Sequence, residues 1–401
     1  MRIAVVNWSR RLVGGIESYL DSVIPSLIQA RHEVKFWHEV DVPVDRDPLA
    51  RGVDVPTVCV ADVGQATAVA GLRAWRPDVV YVHGLLDPNL EGQILDVAPS
   101  VFFAHAYYGM CISGSKTFTR PVVTPCSRVF GWPCLLHYFP HGCGGRSPLT
   151  MWREYQRQAE RLTLLRRYGA IVTHTDHMRT ELARHGLVAT QVVYPVDLGT
   201  VVNHSPIEKV WRLLFAGRMD RLKGGQVLLD ALAYVRRRAD RPVHLRFAGD
   251  GPERARWERQ AEHVTSREGG LGIEFVGWVS QTELERLTAA ADLLVVPSLW
   301  PEPFGSGGPW AGARGLPAAA FAVGGISEWL VDGVNGHLAP GNPPTAAGLA
   351  DAILNCLADP QEYARLRTGA VEVGRRFNMQ AHLGSLLDVF AAVSANEHAR
   401  A

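Results

Sequence analysis

The feature that most restricts the fold of this chain is a repeated alternation. A short apolar run is followed by a turn, and then by a segment whose apolar residues fall on one helical face. In the first half such runs are Ile3-Ala-Val-Val6, Val34-Lys-Phe-Trp37, Val79-Val-Tyr-Val82, Val101-Phe-Phe-Ala104 and Ile171-Val-Thr173. Residues 212–216, 243–248, 273–276, 293–296 and 317–321 restart the series in the second half. Near-continuous apolar strands separated by helices belong to parallel sheets covered on both faces. The segment after the first run places Ile16, Tyr19, Leu20, Val23, Ile24, Leu27 and Ile28 on one face. Pro25 lies inside it and is expected to kink it. A long helix is expected at about 149–168 and a final one at about 379–395.

The chain is therefore read as α/β, with two Rossmann-like doubly wound domains facing across a cleft. The first spans about 1–200 and the second 201–380, with the polar stretch 201–210 as a linker. The C-terminal helix, about 379–401, is free to pack back on the first domain. Ligands in such sheets bind beyond the carboxyl ends of the strands. A length of 401 residues fits two domains. Lys and Arg number 41 against 40 Asp and Glu, a formal charge of +1, which argues against a general nucleic-acid binder. No run approaches the ~18 apolar residues of a membrane span. The opening Met-Arg-Ile-Ala-Val-Val-Asn is too short an apolar run for a signal peptide and reads as a strand. A cytoplasmic protein is expected.

The chemistry concentrates at strand ends. The run 293–296 empties into Pro297-Ser-Leu-Trp-Pro-Glu302-Pro-Phe-Gly305, with further glycines at 307 and 308. A carboxylate followed by a glycine-rich helix start suits an anion and a sugar, because glycine permits close backbone approach and free N–H groups attract phosphate. Upstream stand Phe215-Ala-Gly-Arg218 and Lys223-Gly-Gly225, then Phe247-Ala-Gly249-Asp-Gly-Pro252, and Phe275-Val-Gly277 with Val279 before a helix. Downstream come Gly315-Leu-Pro317, Gly324-Gly325 and Glu328. In the first half, Gly14-Gly15-Ile-Glu17 follows the first strand, and His83 and His105 each end a strand.

In this order the motifs resemble the family-4 retaining glycosyltransferases, which have the GT-B fold. The resemblance covers nearly the whole chain. It implies a nucleotide-sugar donor of UDP, GDP or dTDP type and a hydroxyl acceptor on a polysaccharide, lipid-linked intermediate or natural product. It also implies retention of configuration by same-face attack, with no metal or other cofactor required. Carried onto this chain, the catalytic set is His105, Glu302, Arg218 and Lys223. Arg218 and Lys223 would neutralise the diphosphate, the arginine bidentately and the lysine as a point charge. The leaving diphosphate gains charge in the transition state, so fixed cations there act on the rate. Glu302 would hold donor-sugar hydroxyls, and His105 would lie near sugar and phosphate. Gly14, Gly15, Gly249, Val279, Gly305, Ser306, Gly307 and Trp310 would line the donor. His83 is read as structural, and Glu328 as a helix-start residue.

The chain departs from that pattern at Trp310, where the family carries a second glutamate for the ribose hydroxyls. An indole offers one donor and no acceptor. Three readings follow: a deoxyribose nucleotide, an ordinary UDP or GDP sugar packed on the indole, or lost transfer. The last leaves a non-catalytic sugar- or nucleotide-binding protein as the alternative function. A GT-B epimerase or hydrolase fits the Arg218, Lys223 and Glu302 order less well. Cys111, Cys126, Cys134 and Cys143 crowd into a Gly-, Pro- and aromatic-rich stretch. They are read as a structural zinc site, as buried thiols, or as disulfides. Arg153, Arg157, Arg161, Arg166 and Arg167 make the long helix basic, suggesting peripheral membrane contact.

Overall fold

The structure, a computed structural model, describes residues 1–42, 47–50, 52–201 and 209–398, with side chains described to 395. Most of the expected linker, 202–208, lies outside the described residues. The chain divides into two compact units. Unit 1 holds Met1–Ser115, Arg128–Asp197 and the chain from Asn378 onward; unit 2 holds Lys116–Ser127 and Leu198–Phe377.

Unit 1 is built on a seven-stranded parallel sheet. Its order is Thr57–Cys59, Glu33–His38, Arg2–Asn7, Val79–Val82, Ser100–Phe103, Ala170–Thr173 and Thr190–Gln191. All four residues of Val79–Val82 and of Ser100–Phe103 are buried, which is why these strands read as unbroken apolar runs. The helix Gly15–Gln29 buries Tyr19, Leu20, Val23, Ile24 and Leu27. It runs unbroken through Pro25, and the Ala30 N–H already reaches the Ser26 carbonyl beyond it. The lost donor is a local defect, because five buried side chains hold the helix on the sheet. The last helix, Met379–His398, groups with unit 1. It is pinned by Phe390 against Tyr81, with ring centroids 5.0 Å apart, and by the Ser394 hydroxyl donating to the Asp78 carbonyl at 2.9 Å.

Unit 2 has a six-stranded parallel sheet in the order Leu271–Gly277, Val243–Ala248, Trp211–Ala216, Leu293–Val296, Ala318–Phe321 and Gly336–Ala339. The strand order reverses between Trp211–Ala216 and Leu293–Val296, which are neighbours in the sheet but far apart in sequence. That gap is the topological switch point, where doubly wound sheets open a crevice at their carboxyl ends. At the opposite end the same two strands are clamped by Asp292. Its fully buried carboxylate accepts from the Arg212 backbone at 2.8 Å and from the guanidinium at 3.0 and 2.8 Å. Beneath the sheet Trp257 packs on Phe215 and Phe247.

Residues 116–127 were expected within the first domain. They instead form a short antiparallel hairpin, Thr117–Phe118 with Thr124–Pro125, that groups with unit 2. The Arg221 guanidinium donates to the Thr119 carbonyl at 3.3 Å. No helix among the described residues is long and apolar enough to cross a membrane.

Candidate active site

Unit 2 assembles its charged residues at the switch point. The strand Trp211–Ala216 ends in Gly217 and Arg218, and Arg218 is exposed. Asp220 then caps a single 3-10 turn, Arg221–Lys223, its carboxylate accepting from the Leu222 and Lys223 N–H groups. Gly224 follows at φ 73°, and a Cβ there would sit 1.8 Å from the Pro297 carbonyl oxygen. Only glycine accepts both that backbone angle and that approach. The contact brings the turn onto the loop after Leu293–Val296, where Leu299 N–H donates to the Leu222 carbonyl at 2.7 Å.

The consequence is an ion pair. Lys223 Nζ lies 2.6 Å from Glu302 Oε1, and the Ser298 hydroxyl donates to the same oxygen at 2.6 Å. Glu302 is 4% exposed. Its backbone is fixed as well, since Gly325 N–H donates to the Glu302 carbonyl at 2.6 Å. A Cβ on Gly324 would fall 2.3 Å from that same carbonyl. The resemblance gave Lys223 and Glu302 separate tasks, on phosphate and on sugar; the structure joins them. A buried carboxylate needs such partners, because burying it unpaired is costly. An ammonium keeps two further donors after one bond, so Lys223 still has N–H groups to offer an anion although the pair itself is neutral.

The remaining donor-side residues divide. Gly305, at φ 86°, and Ser306 and Gly307 lead into the helix Gly307–Ala313, with open space around Gly307. Gly249 is demanded by the protein itself, because a Cβ there would lie 2.0 Å from the Gly217 carbonyl oxygen. Val279 is half-buried in the turn before the helix Gln281–Ala289. Glu328 ends the 3-10 turn Gly324–Glu328 rather than starting a helix. Trp310 is half-buried, with the Arg314 guanidinium 4.0 Å from its ring centroid. Arg314 is itself buried; it donates to the Trp310 carbonyl at 3.2 Å and pairs with Glu285 at 3.1 Å. A cleft of about 220 Å³ beside the Lys223 turn is lined by Val122, Val123, Arg221, Val227 and Leu299.

The carboxyl edge of the unit 1 sheet has a different chemistry. His83 and His105 follow adjacent strands, and His83 Nδ1 lies 2.8 Å from His105 Nε2. His174 follows the next strand, and His382 enters from the last helix. His382 Nδ1 lies 2.6 Å from the Val193 carbonyl, so that nitrogen carries the proton. Its Nε2 then accepts from the Tyr19 hydroxyl at 2.8 Å, and Tyr19 accepts from Tyr81 at 2.6 Å. Burial lowers all four imidazoles below their ordinary value. His105 falls to about 3, through burial and then the neighbouring His382, and His382 falls to about 4. Desolvation disfavours the charged form. Gly14 and Gly15 are exposed at the start of the first helix, and nothing stands within 4 Å of a Cβ on Gly15. Sequence reasoning passed over Glu17. It is 2% exposed, and its Oε1 accepts from Asn7 at 3.2 Å and Trp8 at 2.9 Å. Burial raises its pKa.

The structure bears on two further expectations. Among the described residues no group of three or more His, Cys, Asp or Glu side chains is placed to hold a metal ion. The cysteines of the expected zinc site have local surroundings instead. Cys111 Sγ lies 3.3 Å from the Ser113 hydroxyl, Cys134 and Cys143 pack on Ile112, Phe130 and Tyr138, and Cys126 follows the unit 2 hairpin. None of the six cysteines is in a disulfide among the described residues. The basic helix, Pro148–Leu165, spends part of its charge internally, while Arg153 and the following Arg166 are exposed. Arg161 is buried, donates to the Leu85 carbonyl at 2.7 Å and stacks over Tyr108. Arg157 pairs with Glu154, and Arg167, just past the helix, pairs with Asp96.

The chain is similar to known glycosyl transferases. The family model "Glycosyl transferases group 1" matches residues 211–359. A D-inositol 3-phosphate glycosyltransferase of Xylanimonas cellulosilytica is 35% identical over 189 residues, 47% of this chain and 44% of that protein. The match thus spans about half the length of such relatives. Over 99% of this chain and 96% of its own length, a glycogen synthase of Mycobacterium tuberculosis is 26% identical. Anabaena HepE, solved with UDP and glucose, superposes with a TM-score of 0.67 at 18% identity over 97% of this chain and 99% of its own. The last likeness establishes the fold, that of GT-B glycosyltransferases.

Proposed function

We propose, from the premise that residues 211–359 belong to the group 1 glycosyl transferases, that this chain moves a sugar from a nucleotide donor to an acceptor hydroxyl. The observation that carries the reading is the Lys223–Glu302 pair at the unit 2 switch point, with Arg218 exposed on the adjoining turn. A nucleotide diphosphate carries about two negative charges, and fixed cations stabilise it most as the sugar leaves. On this reading Arg218 and Lys223 hold the diphosphate, and Glu302 positions sugar hydroxyls. His105 supplies a neutral imidazole to the sugar. The cations take the place a metal would fill, and transfer proceeds with retention. The HepE complex holds UDP and glucose, and that supports a nucleotide-linked hexose donor here.

The test is turnover of UDP-, GDP- and dTDP-hexoses by the full chain, with Arg218→Ala beside it. Slow donor hydrolysis without acceptor is expected in the wild type, falling about 100-fold or more in the variant. Hydrolysis unchanged in the variant would remove the phosphate assignment.

A second reading has its own observation. Trp310 occupies the position of the ribose carboxylate, and its indole is covered by Arg314. A non-catalytic nucleotide- or sugar-binding protein would keep such a pocket without turnover. Binding of a nucleotide without hydrolysis of any matching donor favours it.

A further inference from the structure

His83 is 3% exposed, and its Nε2 is buried without a hydrogen-bond partner. The ring lies against Tyr81, Tyr19 and Phe103, with centroids 4.2, 5.6 and 6.0 Å away. A phenyl ring would fill this space without stranding a polar atom, and stranding one is costly. What the imidazole adds is Nδ1, which lies 2.8 Å from His105 Nε2.

Two neutral arrangements satisfy that contact. In one, His83 Nδ1–H donates to His105 Nε2, and the stranded His83 Nε2 is a bare lone pair. In the other, His105 Nε2–H donates, and His83 must carry its proton on the stranded nitrogen. Burial holds His83 neutral, so its two nitrogens are not both protonated. Among buried backbone groups an orphaned N–H is rarer than an under-used acceptor. The same asymmetry selects the first arrangement. His105 then accepts at Nε2 and carries its own proton on Nδ1. The His105 ring is half-buried and stacked on Phe103, with centroids 4.3 Å apart at 20°. Among the described residues its Nδ1 has no hydrogen-bond partner, yet it is not sealed from solvent. That N–H is open to a ligand.

We propose that His83, which the sequence alone reads as structural, is a positioning residue for sugar transfer: it fixes His105 in the Nδ1–H tautomer. This rests on the transferase reading and deepens it. The hydrogen bond made by one ring nitrogen decides what the other can do. The unit 1 edge then meets the donor sugar with a hydrogen-bond donor rather than a base. A sugar oxygen can accept from it, and an ammonium in the same place cannot.

The experiment is long-range proton–nitrogen correlation spectroscopy on the full chain with isotope-labelled histidine rings and no substrate. Such spectra tell an imidazole N–H from a bare nitrogen, and a His105→Gln sample identifies the His105 signals. His83→Phe and His83→Asn accompany it, each with a melting curve and kcat/KM on the donor that turns over. Phenylalanine keeps the ring volume alone, whereas asparagine keeps an N–H near the place of Nδ1. The wild type should carry the His105 proton on Nδ1. In His83→Phe it should move to Nε2, with kcat/KM lower by about tenfold or more. His83→Asn should restore the tautomer and most of the activity. A proton on His105 Nε2 in the wild type, or an unchanged tautomer in His83→Phe, would overturn the proposal. So would a restored tautomer in His83→Asn without restored activity, because the role of His83 would then be structural. The wild-type spectrum judges the tautomer even if no nucleotide sugar turns over, a result that would count against the transferase reading instead.

Discussion

The two sheets present their carboxyl edges in opposite ways. In unit 1 the edge is filled by imidazoles and phenols: His83, His105, His174 and His382 around Tyr19 and Tyr81. Burial keeps those imidazoles neutral. In unit 2 the corresponding edge carries a lysine–carboxylate pair, an exposed arginine and turns that only glycine can make. The architecture is shared, so the difference lies in side chains at equivalent strand ends. A neutral edge can exchange hydrogen bonds with hydroxyls without fixing an anion. A cationic edge held by rigid turns can fix a diphosphate. The fold supplies two crevices, and the residues decide which ligand chemistry each serves.

The contrast can be broken most severely at a glycine. Gly224→Ala forces a Cβ into the Pro297 carbonyl at positive φ, so a loss of at least about 4 kcal/mol is expected, read by urea unfolding. Gly15→Ala, at the equivalent turn of unit 1, should change stability by less than about 0.5 kcal/mol. Equal effects would mean that the unit 2 turn is not the more constrained of the two. Next comes catalysis. Lys223→Ala should lower transfer by about 10²–10³-fold, measured as kcat on the donor that turns over. It should also cost about 1–3 kcal/mol in stability, because it leaves the buried Glu302 with Ser298 alone. Loss of activity with no loss of stability would show that the pair is not formed in the free protein.

The third prediction sharpens the neutral side. The folded pKa values of His105 and His382, about 3 and 4, lie below the ordinary value of 6.5. Below pH 6.5 the unfolded chain therefore binds more protons than the folded one. The stabilisation is complete above pH 6.5 and drains as pH falls toward 4 and then 3. Each such proton contributes a slope of about 1.4 kcal/mol per pH unit in that window. The melting temperature should fall accordingly, and His382→Gln should flatten the slope. A flat profile from pH 6.5 to 4 would mean that the cluster accepts charge. The smallest effect is expected at Trp310. Trp310→Ala should cost about 1–2 kcal/mol by uncovering the Arg314 guanidinium, and Trp310→Phe less than about 1 kcal/mol.

Much of the architecture was written in the order of residues. Val79–Val82 and Leu293–Val296 are apolar throughout because both faces are covered, and the turns after them carry Gly or Pro. Position along the chain also marked Arg218, Lys223 and Glu302 as strand-end residues. Their pairing was not legible, because it depends on Gly224 meeting Pro297 across a gap of more than seventy residues. The histidine cluster was hidden for a similar reason: His382 arrives on the last helix and joins residues from three separate strand ends. Charge along the long helix was legible only in part, since Arg161 points into the protein and makes its bonds there. The clustered cysteines misled because closeness in sequence does not make thiols converge, and the chain between Cys111 and Cys134 leaves unit 1 to form the unit 2 hairpin.

The central claim, that the unit 2 edge fixes a nucleotide diphosphate, is tested most directly by melting the wild type and Arg218→Ala with UDP, GDP, ADP and dTDP in turn. A ligand that binds only the folded state raises the melting temperature by mass action. The account predicts a clear rise with at least one diphosphate in the wild type, largely lost in Arg218→Ala. A shift with dTDP alone would trace to Trp310 in place of the ribose carboxylate. No shift with any of the four, or an equal shift in the variant, would contradict the account.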